Sequence, residues 1–411
     1  RYYKRKNPML VREMIRNVYK ECKGVPKSSC LTKEQRLSLQ MDEFMNRRYE
    51  FRYNTQIGEV EYRERFSFQF YFHPIDKRAQ NSIMLDAQSE GIGVWDRDID
   101  RYLHSNRVPI YNPLEEFLFH LPHWDGKDRI HALANRVPCK NPHWELLFHR
   151  WFLNMVSHWR GVDKMHANNT SPILVGRQGT HKSTFCREMI PPALRAYYTD
   201  SIDFSQKRDA ELYLNRFALI NIDEFDQITL PQQGFLKHIL QKPVVNLRKP
   251  HGRSVLELQR YASFIGTSNQ KDLLTDPSGS RRFICIEVTG NIDTTQPIDY
   301  EQLYAQAMHE IYHGERYWFD SEDEQIMTEN NREFEQTPAM LQLFYQYFKA
   351  AQTKEEGEFL TPVEILNYLK KKSGMSLSDN KVYHFGRLLQ KCGIPSKHTY
   401  KGTVYQVIKL S

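Results

Sequence analysis

The sequence has few cysteines, and they are scattered: six of 411 residues, with no CxxC pair among them. This argues against a zinc ribbon and a disulfide framework and is typical of a reducing cytosol, so we expect a cytoplasmic location. No apolar run is long enough to span a bilayer. The opening stretch, RYYKRKNPML, begins with arginine and lacks the apolar core of a secretory signal. We therefore expect a segment of a longer polypeptide without a membrane partner.

Charge of one sign does not dominate. There are 57 Lys and Arg against 50 Asp and Glu, and the net charge is +7. This balance permits nucleic-acid binding without requiring it. The 40% hydrophobic and 26% charged residues are typical of a soluble globular protein, and the length allows two to four domains.

Four regions follow from the patterns along the chain. Residues 1–75 contain basic helical segments and a β-hairpin, because residues 49–65 alternate apolar and polar side chains around a turn. Residues 76–165 carry apolar side chains at three- and four-residue spacing, which predicts helices. Residues 166–336 are predicted to form an α/β domain, and residues 337–411 a small final module.

The α/β prediction rests on four short apolar runs: PILVG, FALINID, YASFIGTS and RRFICIEV. They alternate with helical stretches between Ser171 and Gly290, which is the rhythm of a mostly parallel sheet.

The final module has the pattern helix, helix, hairpin, which predicts a winged helix-turn-helix. Thr361, Pro362 and Glu364 fit a capping box with a first-turn proline, and two strand-like runs surround Lys401 and Gly402. Duplex DNA and a protein partner both remain open as ligands for this module. Its basic side chains are Lys370, Lys371, Lys372, Lys381, Arg387, Lys391, Lys397 and Lys401.

The stretch GRQGTHKST after PILVG has the spacing of a phosphate-binding loop. Such a loop turns backbone N–H groups toward phosphates, and its lysine and hydroxyl serve the β and γ phosphates and Mg²⁺. His181 stands where the pattern has its last glycine, so a positive φ there would cost roughly 1–3 kcal/mol. The candidate residues for binding ATP and Mg²⁺ are Gly176, Gly179, Thr180, His181, Lys182, Ser183, Thr184 and Asp223.

Three further polar groups adjoin predicted strands. Asp223 would hold Mg²⁺ together with Ser183, and Glu224 would orient and deprotonate the attacking water. Asn269 ends the run YASFIGTSN, where it is suited to position that water. Each signal alone also fits an ordinary polar strand end, but their order predicts an NTPase.

Paired arginines complete the series. Arg281 and Arg282 precede the last strand-like run, where a guanidinium could neutralise charge on the γ-phosphate, either in its own subunit or across an interface.

At this point the sequence resembles the virulence-associated protein E family, whose ATPase core is similar to superfamily III helicases within the AAA+ class. The resemblance lies in LPHWDGKDRI, LVGRQGTHKSTF, KRDAELYLNRFALINIDEFD, LRKPHGR and FIGTSNQKDLLTDPSGSRRF, and covers Leu121 to Phe334. It implies a ring-forming, hexameric, DNA-dependent ATPase that acts in replication of phages or other mobile elements, often linked to a primase. The implied fold is an α/β P-loop core between a mainly helical N-terminal region and the winged-helix-like module.

The resemblance also implies residue roles. The motif positions are Lys182 and Ser183 for Walker A, Asp223 and Glu224 for Walker B, Asn269 for sensor 1, and Arg281 or Arg282 for the arginine finger. The family usually has glycine at the position of His181. The C-terminal segment resembles a domain of unknown function that follows this ATPase in Bacteroidetes proteins.

A basic hairpin is predicted in PVVNLRKPHGRSVLEL. In superfamily III helicases the similar hairpin lies in the ring's central channel, so its tip is expected to contact the phosphates of single-stranded or forked DNA. An ordinary charged turn is the alternative. The candidate DNA contacts are Arg248, Lys249, His251 and Arg253.

The stretch HEIYH matches a zinc-protease signature through His309, Glu310 and His313. On a helix, however, Leu303, Ala307 and Ile311 define the buried face, and both histidines turn to the polar side. A lid helix of the ATPase is the preferred interpretation.

The sequence therefore predicts an ATP-dependent DNA helicase or translocase. The alternative is a slow nucleotide-dependent DNA-binding switch, or a phage-defence regulator, that never separates strands.

Overall fold

The computed structural model describes residues 32–161, 163, 165–247, 256–274, 281–336, 339–351, 357–374, 382–400 and 402–410. The chain divides into two compact units, Arg1–Leu121 and Pro122–Ser411. The boundaries of the four predicted regions stay predictions. In the part of the chain that is described, no helix has both the length and the apolar character needed to cross a bilayer.

The first unit is built on a small sheet with the strand order β3-β2-β1-β4. Its elements are α1 (Lys33–Arg48), β1 (Tyr49–Asn54), β2 (Glu59–Glu64), β3 (His73–Pro74), α2 (Lys77–Ser89), α3 (Asp96–Leu103), β4 (Ile110–Tyr111) and α4 (Pro113–Phe119). The predicted hairpin is the antiparallel pair β1 and β2, which turns at Gly58 with a positive φ of 72°. Apolar side chains of α1, α2 and α3 form one buried cluster with this sheet, including Phe44, Ile83 and Ile99.

The second unit begins with an α/β layer structure. Its elements are α5 (Ile130–Ala134), α6 (Trp144–Arg160), β5 (Ser171–Val175), α7 (Lys182–Glu188), β6 (Tyr198–Thr199), α8 (Lys207–Arg216), β7 (Leu219–Ile222), α9 (Leu230–Leu240), β8 (Val244–Leu247), β9 (Leu256–Gln259), β10 (Ser263–Ser268), β11 (Phe283–Glu287), α10 (Tyr300–Tyr312) and α11 (Ser321–Asn331). The central sheet has the order β11-β5-β10-β7-β6, and every neighbouring pair is parallel. All four predicted apolar runs lie in it.

Burial explains why these runs form strands. Every residue of β5, β7 and β10 is buried, as expected for a parallel sheet that helices cover on both faces. Helices α7, α8 and α9 lie in the connections from β5 to β6, from β6 to β7 and from β7 to β10, since parallel strands need a crossover connection. This arrangement brings the carboxyl ends of β5, β10 and β7 to one edge of the sheet.

The strands β8 and β9 form a separate antiparallel pair, with Val244 opposite Gln259. They are the two arms of the predicted basic hairpin. The predicted DNA contacts at its tip lie outside the described residues; they are Arg248, Lys249, His251 and Arg253.

The final module combines helices with a second sheet. Its elements are α12 (Ala339–Tyr347), β12 (Phe348–Ala350), β13 (Glu358–Leu360), α13 (Pro362–Ser373), α14 (Val382–Lys391), β14 (Ser396–Thr399) and β15 (Gly402–Lys409). The capping box of α13 is present, since Glu364 N donates to Thr361 Oγ1 and Thr361 N donates to the Glu364 carboxylate. The hairpin β14–β15 is also present. The sequence did not indicate β12 and β13, which both pair with β15.

Candidate functional site

Three of the predicted signals meet at the carboxyl edge of the central sheet. The loop after β5 begins at Gly176, Asn269 follows β10, and Asp223 follows β7. Because β10 lies between β5 and β7, with Ser268 opposite Val175, these three chain segments leave the sheet side by side. The loop, the acids and the amide that the sequence singled out therefore lie together at one site.

The loop itself surrounds the side chain of Lys182, which is buried. Its Nζ donates to the carbonyl oxygens of Gly176 and Arg177, both at 2.7 Å, and lies 3.3 Å from Asn269 Oδ1. Burial lowers the pKa of this lysine, and the nearby charge of Asp223 opposes that effect. The ammonium group is thus held by neutral oxygens that a phosphate could replace.

Close packing explains one glycine of the loop. A Cβ on Gly176 would lie 3.0 Å from Val288 O, so any other residue here would push the segment after β11 away by a few tenths of an ångström. The segment after β11 also supports the loop, since Ile292 N donates to Thr180 O at 3.1 Å. Thr180 Oγ1 closes the turn by donating to Arg177 O at 2.9 Å.

His181 adopts the conformation that the pattern normally assigns to glycine. Its φ is 65° and its ψ is 22°, in the left-handed region, and Gly179 also has a positive φ of 83°. A side chain with a Cβ costs roughly 1–2 kcal/mol in this region. The loop thus keeps the expected path at the expense of local strain, and Lys182, Ser183 and Thr184 open α7 behind it.

Ser183 and Asp223 form the second half of the site. Ser183 Oγ donates to Asp223 Oδ1 at 2.9 Å, and the Thr267 hydroxyl donates to the same oxygen. A hydroxyl and a carboxylate oxygen are hard ligands of the kind Mg²⁺ takes, together with phosphate oxygens and water. The residues present therefore fit a magnesium ion.

Glu224 follows Asp223 in an unusual conformation, with φ 53° and ψ 53°. Its side chain is exposed, and no other described residue hydrogen-bonds its carboxylate. A carboxylate that stands free at the same sheet edge can act as a general base for water. The strained backbone points to a positional requirement at this residue.

Asp226 is a site residue that the sequence reasoning missed. Its Oδ1 accepts from Ser268 Oγ at 2.8 Å and from the backbone N–H of Asn269 at 3.3 Å. It thereby fixes the turn that carries the Asn269 side chain beside Lys182. The only sequence signal was a third acid in IDEFD, three residues after Asp223.

Arg281 and Arg282 do not join the site within one chain. They precede Phe283, which lies opposite Ser171 at the start of β5, so they occupy the amino edge of the sheet. A five-residue strand spans about 16 Å, which separates them from the loop after β5. Arg281 Nη1 instead contacts Glu324 Oε2 of α11 at 3.0 Å. The structure thus gives no support for an arginine finger acting in its own subunit.

The HEIYH stretch lies in α10 as predicted. The rings of His309 and His313 stack at 3.9 Å on the exposed side. The Glu310 carboxylate hydrogen-bonds His149 Nε2 at 2.6 Å and accepts the amide N–H of Gln306 Nε2 at 2.9 Å. Glu310 therefore faces the protein interior rather than the two histidines. Among the residues that the structure describes, no three His, Cys, Asp or Glu side chains are grouped to hold a metal ion.

The same helix fastens two segments that adjoin the site. Tyr300 and Tyr304 donate through their hydroxyls to the carbonyls of Glu188 and Met189, at the end of α7. Gln306 Oε1 accepts the N–H of Arg129 at 2.6 Å, within the stretch LPHWDGKDRI. These contacts support a structural role for α10, which is the role expected of a lid helix.

Two family models match the chain. The model of the virulence-associated protein E-like domain matches residues 118–336, and a model described as a domain of unknown function from B. theta matches residues 337–407. No curated protein matches.

Solved structures similar to this chain include three of the C-terminal region of NrS-1. The apo structure of residues 305–718 is 11% identical, with a TM-score of 0.46, and covers 93% of this chain and 100% of that chain. The A form of the apo structure is also 11% identical, with a TM-score of 0.45 and coverages of 90% and 98%.

The first family model covers more than half of the sequence, and it spans the central sheet, the loop and the acids described above. The resemblance expected from the motifs is confirmed: the chain belongs to the virulence-associated protein E-like family.

Proposed function

We propose that this chain is a Mg-ATP-dependent DNA translocase or helicase of the superfamily III type, acting in the replication of a phage or another mobile element. One observation carries the proposal: Lys182, Ser183, Asp223 and Asn269 come together at one sheet edge although 87 residues separate the first from the last. A lysine, a hydroxyl, a carboxylate and an amide are the groups that hydrolysis of a nucleoside triphosphate requires.

Each group has a defined task in this proposal. Lys182 exchanges its loop carbonyls for phosphate oxygens, and the N–H groups of the loop turn toward the same phosphates. Ser183 and Asp223 would hold Mg²⁺, which would neutralise negative charge on the phosphates. Glu224 takes the proton of the attacking water, and Asn269 holds that water in line.

A buried arginine supports coupling to the basic hairpin. Arg260 is fully buried and donates to Leu240 O at 2.7 Å, Lys242 O at 2.8 Å and Asn168 O at 2.9 Å. It lies just after β9 and just before β10, whose other end carries Asn269. The base of the hairpin is thus joined to the strand that reaches the nucleotide site, so a shift at Asn269 can be transmitted to the DNA contacts. The proposed contacts remain Arg248, Lys249, His251 and Arg253.

The position of the arginines supports a ring. Arg281 and Arg282 are too far from the loop of their own chain to act there, whereas a neighbouring subunit could present them. This is the arrangement in which an arginine finger acts across an interface, and a hexamer is the form we propose.

The first experiment measures ATP hydrolysis at low salt, with and without single-stranded DNA. The native chain is expected to hydrolyse ATP faster with DNA, and Lys182→Ala is expected to abolish hydrolysis. Lys271→Ala is the control, because Lys271 is a half-exposed lysine that follows β10 at the same sheet edge and is paired with Glu287 and Glu333. Absence of hydrolysis by the native chain, with or without DNA, would contradict the proposal.

A mixing experiment tests the ring. Lys182→Ala lacks a working loop and Arg281→Ala lacks the finger, so each is expected to be inactive alone. Mixed subunits would place an intact loop beside an intact finger, and part of the activity should return. No recovery from mixtures that do assemble would count against cross-subunit action of Arg281.

The second candidate function is a nucleotide-dependent DNA-binding switch that does not separate the strands. The strained backbone of His181 and Glu224 favours this function, because a loop of higher energy can slow ATP turnover. Unwinding of a forked duplex separates the two functions. The helicase predicts ATP-dependent release of one strand, and the switch predicts ATP-dependent binding with no release.

A further inference from the structure

An unusual group of exposed aromatic side chains lies between β2 and β3 of the first unit. Residues 65–72, RFSFQFYF, form the aromatic loop. Phe66 is 86% exposed, Phe68 96%, Phe70 72% and Tyr71 80%. Single exposed apolar residues are ordinary on a protein surface, but four exposed aromatic side chains within six residues are not, and such a group marks an interaction site.

The loop is fastened to the sheet by arginines. Arg63 Nη1 donates to Phe70 O at 3.0 Å, and Arg65 Nε donates to Asn46 O at 2.8 Å. The ring of Phe72 lies under two guanidinium groups, with Arg52 at 3.9 Å and Arg63 at 4.7 Å from its centroid. The backbone of the loop is therefore positioned, while the four exposed rings remain in solvent.

The exposed rings stand apart from one another. In the part of the chain that is described, none of Phe66, Phe68, Phe70 and Tyr71 packs against another aromatic ring. Single residues, Ser67 and Gln69, separate Phe66, Phe68 and Phe70, and the loop contains no aliphatic side chain. Separate rings with free faces suit flat ligands that stack one at a time.

One arginine of the loop is placed to meet an anionic group of a ligand. Arg52 and Arg63 are balanced by Glu61 and Glu50, but Arg65 is exposed, and its described hydrogen bonds go to backbone carbonyls. Arg65 therefore places a guanidinium group directly beside Phe66, with the exposed Glu64 on its other side along the chain. Aromatic faces together with a guanidinium group are the combination that single-stranded nucleic acid binds, through its bases and its phosphates.

We propose that the aromatic loop is a binding site for single-stranded nucleic acid, in which bases stack on Phe66, Phe68 and Phe70 and Arg65 contacts a phosphate. The proposal rests on the proposed function, because it adds a second DNA contact to that of the β8–β9 hairpin. It differs in chemistry: the hairpin supplies charge, and the loop supplies stacking.

The test measures binding of the full chain to a labelled oligo-dT strand of about 16 nucleotides, the upper range of one binding site. ATP is left out of these binding measurements. The triple variant Phe66→Ala, Phe68→Ala, Phe70→Ala is expected to bind at least about tenfold more weakly, since one stacked base contributes roughly 5- to 150-fold. The control variant truncates three other exposed apolar residues of the same unit, in Leu39→Ala, Leu85→Ala and Ile110→Ala, and should bind as the native chain does.

A strand of the same length that lacks bases identifies stacking. The native chain should prefer oligo-dT to this abasic strand, and the triple variant should bind both alike. Phe68→Trp should keep the preference because it keeps a ring. Equal affinities of native and triple variant for oligo-dT would overturn the proposal.

Two further readouts separate this proposal from others. ATP hydrolysis without DNA should be unchanged in the triple variant, so a native chain that binds oligo-dT through the loop but hydrolyses no ATP would contradict the proposed function alone. Sedimentation of the same samples reports self-association. Loss of self-association in the triple variant with unchanged affinity for oligo-dT would overturn the proposal and identify the loop as a contact between copies.

Discussion

Ser183 Oγ and Asp223 Oδ1 lie 2.9 Å apart, although 40 residues separate them in the chain. Ser183 is in the first turn of α7, and Asp223 follows β7, two strands away from β5 in the sheet. The two oxygens are therefore in place before any ion binds. Preorganised ligands of this kind bind a metal without a further loss of side-chain freedom.

This relationship predicts different results for two substitutions of one residue. Ser183→Ala removes the hydroxyl, so we expect the Mg²⁺ concentration at half-maximal hydrolysis to rise at least about tenfold, the scale seen when a metal site loses a supporting group. Ser183→Thr keeps the hydroxyl, so its Mg²⁺ dependence should stay close to that of the native chain. A Mg²⁺ titration of ATP hydrolysis measures both, and an Ala variant with native Mg²⁺ dependence would exclude Ser183 as a ligand.

Asp226 should affect turnover through Asn269. Removal of its carboxylate in Asp226→Ala releases the Ser268 hydroxyl and the Asn269 N–H, so the amide beside Lys182 loses its support. We expect kcat to fall roughly tenfold with little change in KM, because supporting groups of a site have effects of about this size. Asp272→Ala is the control, because Asp272 is an exposed acid three residues after Asn269. A larger effect on KM than on kcat would show instead that Asp226 supports the binding of ATP.

The strands of the site could be predicted because their sequences are simple. PILVG is apolar throughout and FALINID is apolar except for Asn221 and Asp223, a pattern typical of a short strand buried on both faces. The spacing of Gly176, Gly179 and Lys182 then located the loop, and the left-handed φ of His181 followed from the glycine that it replaces.

Other parts required the order of the strands, which no local pattern contains. Arg281 precedes a strand, and only the parallel pairing of β11 with β5 shows that it lies at the opposite edge from the loop. Arg260 carries no signal in the sequence, because its partners are backbone carbonyls of distant segments. Asp226 was hidden for a related reason: its contacts cross from β7 to β10.

The strain at His181 can be measured by two substitutions that both remove the imidazole ring. His181→Ala keeps a Cβ in the left-handed region at a cost of roughly 1–2 kcal/mol, whereas His181→Gly does not. Glycine also gains about 0.4–1 kcal/mol of unfolded-state entropy, which offsets part of that difference. We therefore expect the free energy of unfolding, measured with urea, to be about 0.5–1 kcal/mol higher for the Gly variant than for the Ala variant. The opposite order would mean that φ is negative in solution.

His158 should make the stability of the core depend on pH. It is buried, its Nε2 accepts the N–H of Asn168 at 2.8 Å, and Arg260 lies nearby. Burial, with a smaller contribution from the charge of Arg260, lowers the pKa of His158 from 6.5 to about 3. The folded protein therefore keeps this imidazole neutral throughout the range in which the unfolded chain takes up a proton.

The sign of the effect follows from that difference. Above pH 6.5 the histidine is neutral in both states, and its contribution does not change. As the pH falls from 6.5 toward 3, only the unfolded state binds the proton, so the free energy of unfolding decreases by up to about 1.4 kcal/mol per pH unit from this residue. His158→Gln cannot titrate but keeps an acceptor for Asn168. Urea unfolding followed by tryptophan fluorescence should therefore show a smaller pH slope for this variant than for the native chain, and a native slope for His309→Gln, which replaces an exposed histidine. Equal slopes for all three proteins would show that His158 takes up its proton without unfolding.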